Sequence, residues 1–162
     1  MSYTIRKGTE KDVPGMYRLI KELATFERAP NAVINTEENL LKDGFGPNPS
    51  FFVLIAEEDG TKEVIGMALY HHAYSTWKGR IFYLDDLIVT ETKRKGGIGR
   101  KLLDEVLVHG KNEGVSQIRW HVLDWNTPAI DFYKKMGVEM DEDWITCKMS
   151  KEAVTEYLDS IK

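Results

Sequence analysis

The chain has 162 residues, 42% of them hydrophobic and 30% charged, with a formal net charge of −4 at pH 7, a make-up that predicts one globular domain over 1–162. The acidic balance excludes general nucleic-acid binding, which needs a basic face to displace phosphate counterions, and suits a small cationic ligand better. The longest unbroken apolar run, Phe51 to Ala56, is far short of the roughly 20 residues that cross a bilayer, which excludes a membrane helix.

In chain order, Tyr3 to Arg6 predicts an opening strand. Thr9 caps a helix whose apolar positions Met16, Leu19, Ile20 and Leu23 repeat with helical spacing, and Pro14 fits its first turn. Thr36 caps a shorter helix through Leu40 and Leu41, which Gly44 is expected to end in a left-handed conformation. Three strands follow, Phe51 to Glu57, Val64 to Ala73 and Arg80 to Val89, the first two joined by a turn signalled by Asp59-Gly60. Leu102, Leu103, Val106 and Leu107 then mark a helix. Gln117 to Leu123 reads as a strand, Thr127 to Met136 as a helix stopped by Gly137, and DWITCKM (143–149) as a closing strand. The fold class is therefore α+β, a mixed and mostly antiparallel sheet flanked by helices, without repeats or linkers.

The start, MSYTIRKGTEKD, lacks the apolar core of a signal peptide, and the single cysteine, Cys147, permits no intrachain disulfide; both point to a soluble protein in a reducing cytoplasm. Adjacent strand histidines, His71 and His72, face opposite ways and offer no ligand spacing, so no metal is expected.

The stretch TKRKGGIGRKLL (92–103) joins a strand to a helix. Glycines at 96, 97 and 99 let successive N–H groups converge on one anion at a helix N-terminus, and Arg94, Lys95, Arg100 and Lys101 add charge. A Walker loop is excluded because no Ser or Thr follows Gly-Lys, and a dinucleotide fingerprint because Leu102 stands where a third Gly or Ala is needed. A glycine-softened turn with solvated lysines is the plain alternative.

Arg94-x-x-Gly97-x-Gly99, directly after a strand and at the head of a helix, resembles the acetyl-CoA pyrophosphate loop of the GNAT N-acetyltransferase superfamily. LIKELATFE (19–27), KDGFGPNP (42–49), YSTWKGRIFYLDDLIV (74–89) and VLDWNTPAIDFYKKMG (122–137) extend the resemblance over nearly the whole chain, to the diamine acetyltransferase branch with its spermidine/spermine and thialysine-acetylating members. The resemblance implies the GNAT acyl-CoA N-acyltransferase fold, a curved sheet splayed between its fourth and fifth strands, with acetyl-CoA in the opening and a homodimer placing substrate pockets near the subunit interface. It implies pantetheine pairing with the backbone of Leu87, Ile88 and Val89, and the diphosphate on N–H groups of Lys95, Gly96, Gly97, Ile98, Gly99 and Arg100. Asn126, Thr127, Pro128 and Ala129 complete the cofactor channel.

An amine of lysine-like pKa is neutral in only about one part in 2,500 at pH 7, a deficit of roughly 4 to 5 kcal/mol for attack, so a proton must be removed. By the resemblance Asp85 stands where the branch carries Glu, as base through water or as anchor of the cationic substrate; one methylene shorter, it favours the relay or the anchor. Asp86 matches the second acid, and alternation along a strand would put the two on opposite faces. Tyr133 matches the general acid that protonates the departing thiolate. Phe26, Glu27, Trp77, Arg119, Trp120, His121 and Glu142 carry over to the amine pocket, where carboxylates bind ammonium groups and aromatics cover methylenes. Taken singly, Glu27 and Glu142 read as surface acids and Trp77 as packing. Arg119, and Ser75 where the spermidine enzymes have an acid, disfavour spermine, while YSTWKGR and LDWN are closer to the thialysine-acetylating relatives. An acyl-CoA sensor without turnover and a peptide lysine acetyltransferase are the competing functions.

Overall fold

The computed structural model describes residues 2–162, which form two compact units, one ending at Leu123 and the other Asp124–Lys162. The first unit is a five-stranded sheet in the order β1 (Tyr3–Lys7), β2 (Phe52–Glu58), β3 (Val64–Ser75), β4 (Gly79–Val89), β5 (Ile118–Arg119). Every neighbouring pair is antiparallel except β4 and β5, which are parallel.

Two helices bury opposite faces of this sheet. Helix α1 (Val13–Phe26) follows a short 3-10 turn after Thr9 and carries Pro14 in its first turn, where the missing N–H costs nothing. Its Met16 and Leu19 pack with Val53, Ile55, Met67, Leu69 and Ile88 in one buried cluster. Helix α3 (Ile98–Glu113) buries Leu102, Leu103 and Val106 on the other face, where Tyr70 and Phe82 lie 5.2 Å apart and Phe82 lies 5.1 Å from His109.

Helix α2 (Glu37–Phe45) starts at Thr36, whose hydroxyl accepts from the Asn39 N–H, but it does not stop at Gly44. Gly44 lies inside the helix, buried against the Phe51 ring; a β-carbon there would come within 2.3 Å of that ring. The glycine makes room for packing. In the β2–β3 hairpin the left-handed residue is Lys62, not Gly60.

The second unit holds α4 (Thr127–Lys135) and α5 (Lys151–Ser160). The strand expected over Gln117 to Leu123 shrinks to Ile118–Arg119, and DWITCKM is irregular and exposed, not a closing strand. Helix α5 lies on a stretch without an assignment from sequence, although Val154, Tyr157, Leu158 and Ile161 repeat with helical spacing and the Ser150 hydroxyl caps it by accepting from Ala153 N–H.

Candidate active site

Strand β4 changes face halfway along. Tyr70 registers with Leu84 and Leu69 with Asp86, so Asp85 is the extra residue of a β-bulge. Before it, Phe82 and Leu84 lie on the α3 face; after it, Asp86 and Ile88 lie on the α1 face with Leu69 and Met67. Strict alternation would have kept Asp86 beside Leu84. The bulge instead carries it to the side where α1 ends, and leaves Asp85 exposed. Burial pushes the Asp86 carboxyl up to about 7, with the charges of Asp85 and then Glu27 adding to the effect. Glu27 follows directly on Phe26, the last residue of α1.

The sheet forks at the same place. Phe82 pairs with Ile118 and Tyr83 with Arg119, and there the β4–β5 ladder ends; Asp86 to Val89 pair with β3 alone. Just past the fork the Tyr83 hydroxyl and His121 Nδ1 share a hydrogen bond. Burial, then the Asp85 charge, raise the pKa of Tyr83, so it keeps its proton. Arg119 on β5 adds a cation, hydrogen-bonded to Gln117 Oε1 at 3.1 Å.

Beyond β4 the chain makes a 3-10 turn (Glu91–Lys93) and enters α3 through Lys95 at φ 66° and Gly97 at φ 80°. Left-handed residues just ahead of a helix let successive N–H groups converge at the helix start, an arrangement that suits an anion. A β-carbon at Gly97 would meet nothing within 4 Å, so the space over the loop is open to a ligand. Lys95 is exposed, and Arg100 is held by Asp104 at 2.8 Å, one turn along. The Arg94 side chain turns inward, its Nε donating to the Val89 carbonyl at 2.9 Å.

In the second unit Asn126 caps α4, its carbonyl accepting from the N–H groups of Ala129 and Ile130 at 3.0 Å, with Pro128 in the first turn. Tyr133 on α4 is 8% exposed, and burial raises its pKa, which keeps the phenol protonated at neutral pH. Glu142 lies in the exposed, irregular segment before α5.

Comparison with known proteins decides what this assembly is. The model of the Acetyltransferase (GNAT) family matches residues 14–138. The chain belongs to the GNAT acetyltransferase family. It is 40% identical to a thialysine N-epsilon-acetyltransferase of Mus musculus over 96% of each chain. It is 33% identical to a spermidine/spermine N(1)-acetyltransferase-like protein of Homo sapiens, over 93% of this chain and 23% of that one. The fold agrees with an integron cassette protein from the mobile metagenome of V. cholerae (TM-score 0.78, 20% identity, 98% of each chain). It agrees also with an aminoglycoside N-acetyltransferase solved with CoA (TM-score 0.72, 20% identity, 91% of this chain and 94% of that one).

As a GNAT acetyltransferase, the protein is an enzyme that moves an acetyl group to an amine, and acetyl-CoA is the family's donor. The loop at 95–100 fits that group: open space, left-handed residues and unburied lysine charge lie at the head of one helix. Along β4 and this loop the structure brings together Asp85, Asp86, Leu87, Ile88 and Val89 with residues 94–100, with Glu27 near enough for its charge to act on Asp86 and His121 bonded to Tyr83. Trp77 stands apart: 83% exposed, it tips the β3–β4 hairpin, roughly 20 Å of strand from Asp85. Tyr83 had no signal in the sequence, because a core-like Tyr is common anywhere. Among the described residues no group of three or more His, Cys, Asp or Glu has the geometry to hold a metal ion, and no helix is long and apolar enough to cross a membrane.

Proposed function

We propose that this single-domain enzyme acetylates a primary amine of a small diamine, polyamine or diamino acid by direct attack within a ternary complex with acetyl-CoA. The observation that carries the reading is the β-bulge that turns Asp86 onto the α1 face, where burial, with the charges of Asp85 and Glu27, pushes its carboxyl up to about 7, so that it can take a proton at neutral pH yet give it up again. Acetyl-CoA supplies the acetyl group as a thioester; the backbone of Leu87 to Val89 and residues 95–100 hold it, and the family resemblance assigns Asn126 to Ala129 to the same cofactor. Asp86 accepts the amine proton, and exposed Asp85, short for direct abstraction, anchors the ammonium form with Glu27. Tyr133, kept protonated, donates to the departing thiolate.

Acids and a cation together favour a zwitterionic substrate. Arg119, on β5 opposite Tyr83, suits an α-carboxylate and opposes a long polycation. The relatives agree in kind: besides the thialysine enzymes, an L-ornithine N5-acetyltransferase of Arabidopsis thaliana is 27% identical over 93% of this chain and 85% of that one. Trp77 and Glu142 join the pocket, Trp77 from a second copy in a homodimer, since its own Asp85 is out of reach. A reducing cytoplasm suits the exposed Cys147 thiol.

The test is release of CoA thiol with putrescine, spermidine, spermine, lysine, ornithine and thialysine. Turnover of the diamino acids at least about tenfold above spermine, one 1.4 kcal/mol step, is expected. Tight acetyl-CoA binding without release by any amine would instead identify a sensor. Tyr133→Phe that binds acetyl-CoA and retains full turnover removes the proton-donor role.

A further inference from the structure

The chain leaving β4 is tied to α1 at one carboxylate. Thr90 Oγ1 donates to both oxygens of Glu22, at 2.8 and 3.1 Å, and the Glu91 N–H donates at 2.6 Å. Arg18 NH1 and Arg94 NH2 flank the same carboxylate at 3.7 and 3.9 Å. Arg94 completes the tie from the loop side: besides its bond to the Val89 carbonyl, its guanidinium lies 5.0 Å over the Phe26 ring. Arg18, Glu22 and Phe26 are spaced i, i+4, i+8 and share one stripe of α1. Six residues separate the Glu91 anchor from Ile98, where α3 begins only after Lys95 and Gly97 have taken left-handed conformations.

These contacts divide the basic residues of the motif by task. Arg94 opens the Arg-x-x-Gly-x-Gly pattern, yet its guanidinium faces a carbonyl, a ring and a carboxylate of its own chain. A group so held fixes the direction in which the chain departs from β4, and with it the direction of the N–H groups that follow. We propose that Glu22 and Arg94 are positioning residues for the acetyl-CoA loop, acting on the cofactor through the backbone of 95–100 and not by touching it. This rests on the reading of that loop as the diphosphate site.

The test uses the whole enzyme with Glu22→Gln, Arg94→Lys and, as a lighter cut of the same tie, Thr90→Val. Each is expected to raise the KM for acetyl-CoA and the Kd for CoA by about 5- to 20-fold, the loss of one charge-assisted hydrogen bond. Turnover at saturating acetyl-CoA is expected to stay within about twofold, because nothing at the reacting atoms changes. The loss is expected to be equal for CoA and 3′-dephospho-CoA. A fall in kcat with KM unchanged, unchanged CoA affinity in all three, or an Arg94→Lys loss that vanishes with dephospho-CoA would each overturn the proposal. Gly97→Ala separates this from the underlying reading: if it leaves CoA affinity intact, the loop is not the diphosphate site, whereas if it alone weakens CoA, the loop reading stands and the positioning role fails. Thr90→Val, which removes one hydroxyl from a part-exposed turn, keeps the question answerable if a Glu22 variant does not fold.

Discussion

The two halves of β4 do different work. From Gly79 to Leu84 the strand is a scaffold: it is laddered to β3, joined to β5 at Phe82 and Tyr83, and buried through Ile81, Phe82 and Leu84. From Asp86 to Val89 it pairs with β3 alone and carries a half-buried carboxyl on the face of α1. One bulge separates them. The comparison shows how a sheet can keep a close-packed core and a half-open edge in the same strand, since the loss of pairing on one side is confined to residues beyond the fork.

Removing the carboxylate from the working half has the largest expected effect. Asp86→Asn is expected to lower kcat/KM by roughly 10² to 10⁴, and to abolish the acid limb that wild-type turnover shows as pH falls through about 7. An unchanged limb moves the proton acceptor elsewhere. In the scaffold half, Phe82→Ala empties a fully buried site and is expected to cost about 3 to 5 kcal/mol, read by denaturant midpoint. If instead it acts mainly on catalysis at full stability, the division of the strand is wrong. Asp85→Asn lies between: exposed at the bulge, it is expected to raise the amine KM by about tenfold while stability stays within about 0.5 kcal/mol.

The same acid gives a stability effect of opposite sign. The Asp86 pKa in the folded chain lies near 7, above its ordinary 3.8. Between those values the native state holds a proton that the unfolded chain has released, so stability falls as pH rises through this window and the burden is complete above 7. Asp86→Asn is thus expected to match wild type in melting temperature at pH 4 and exceed it at pH 8. Equal melting at both pH values contradicts the burial of this carboxyl.

The smallest effect lies at the far end of α3. His72 and His109 both bond Glu113, at 2.8 and 2.9 Å, and the Tyr70 hydroxyl bonds His109 Nδ1 at 2.7 Å. His72 holds the Glu113 carboxyl below its usual range, with His109 assisting. This contribution is present above the ordinary carboxylate pKa and is lost as pH falls through the lowered one. Glu113→Gln is expected to lower stability by less than about 1 kcal/mol near neutrality and by nothing in strong acid, while leaving acetyl-CoA KM unchanged.

Much of this was legible in the sequence, and the exceptions have physical causes. Strands β1 to β4 and helices α1, α3 and α4 follow from apolar spacing, caps and Gly-Pro punctuation, and the motif around Gly97 and Gly99 pointed to the left-handed turn ahead of α3 that we propose holds acetyl-CoA. Gly44 misled because a glycine that clears space for Phe51 looks like one that ends a helix. Gln117 to Leu123 has the composition of a strand, but pairing depends on a neighbour, and β4 offers one only as far as Tyr83. The order of the acids was the deeper loss. Alternation alone separates the neighbours in DD, but which face each takes is decided by a bulge, and no residue preference announces that. Glu22 was equally silent, since its meaning lies in Thr90 and Glu91, almost seventy positions away.

The bulge at Asp85 also has a consequence for reading relatives of this chain. Facing along a strand is a matter of parity, and one inserted residue reverses it for everything downstream. Two chains of equal length aligned letter for letter through this region, one bulged at Asp85 and one pairing without a bulge, would present Asp86 and its neighbours to opposite sides of the sheet despite matching at every position. Lengthening the turn at Trp77 would leave the parity of Asp86 to Val89 intact, because the hairpin absorbs it outside the ladder. Losing Asp85 itself would also leave it intact, because Asp86 would then follow Leu84 directly and still pair with Leu69. Identity at an acid therefore transfers a role only when its pairing with β3 is the same.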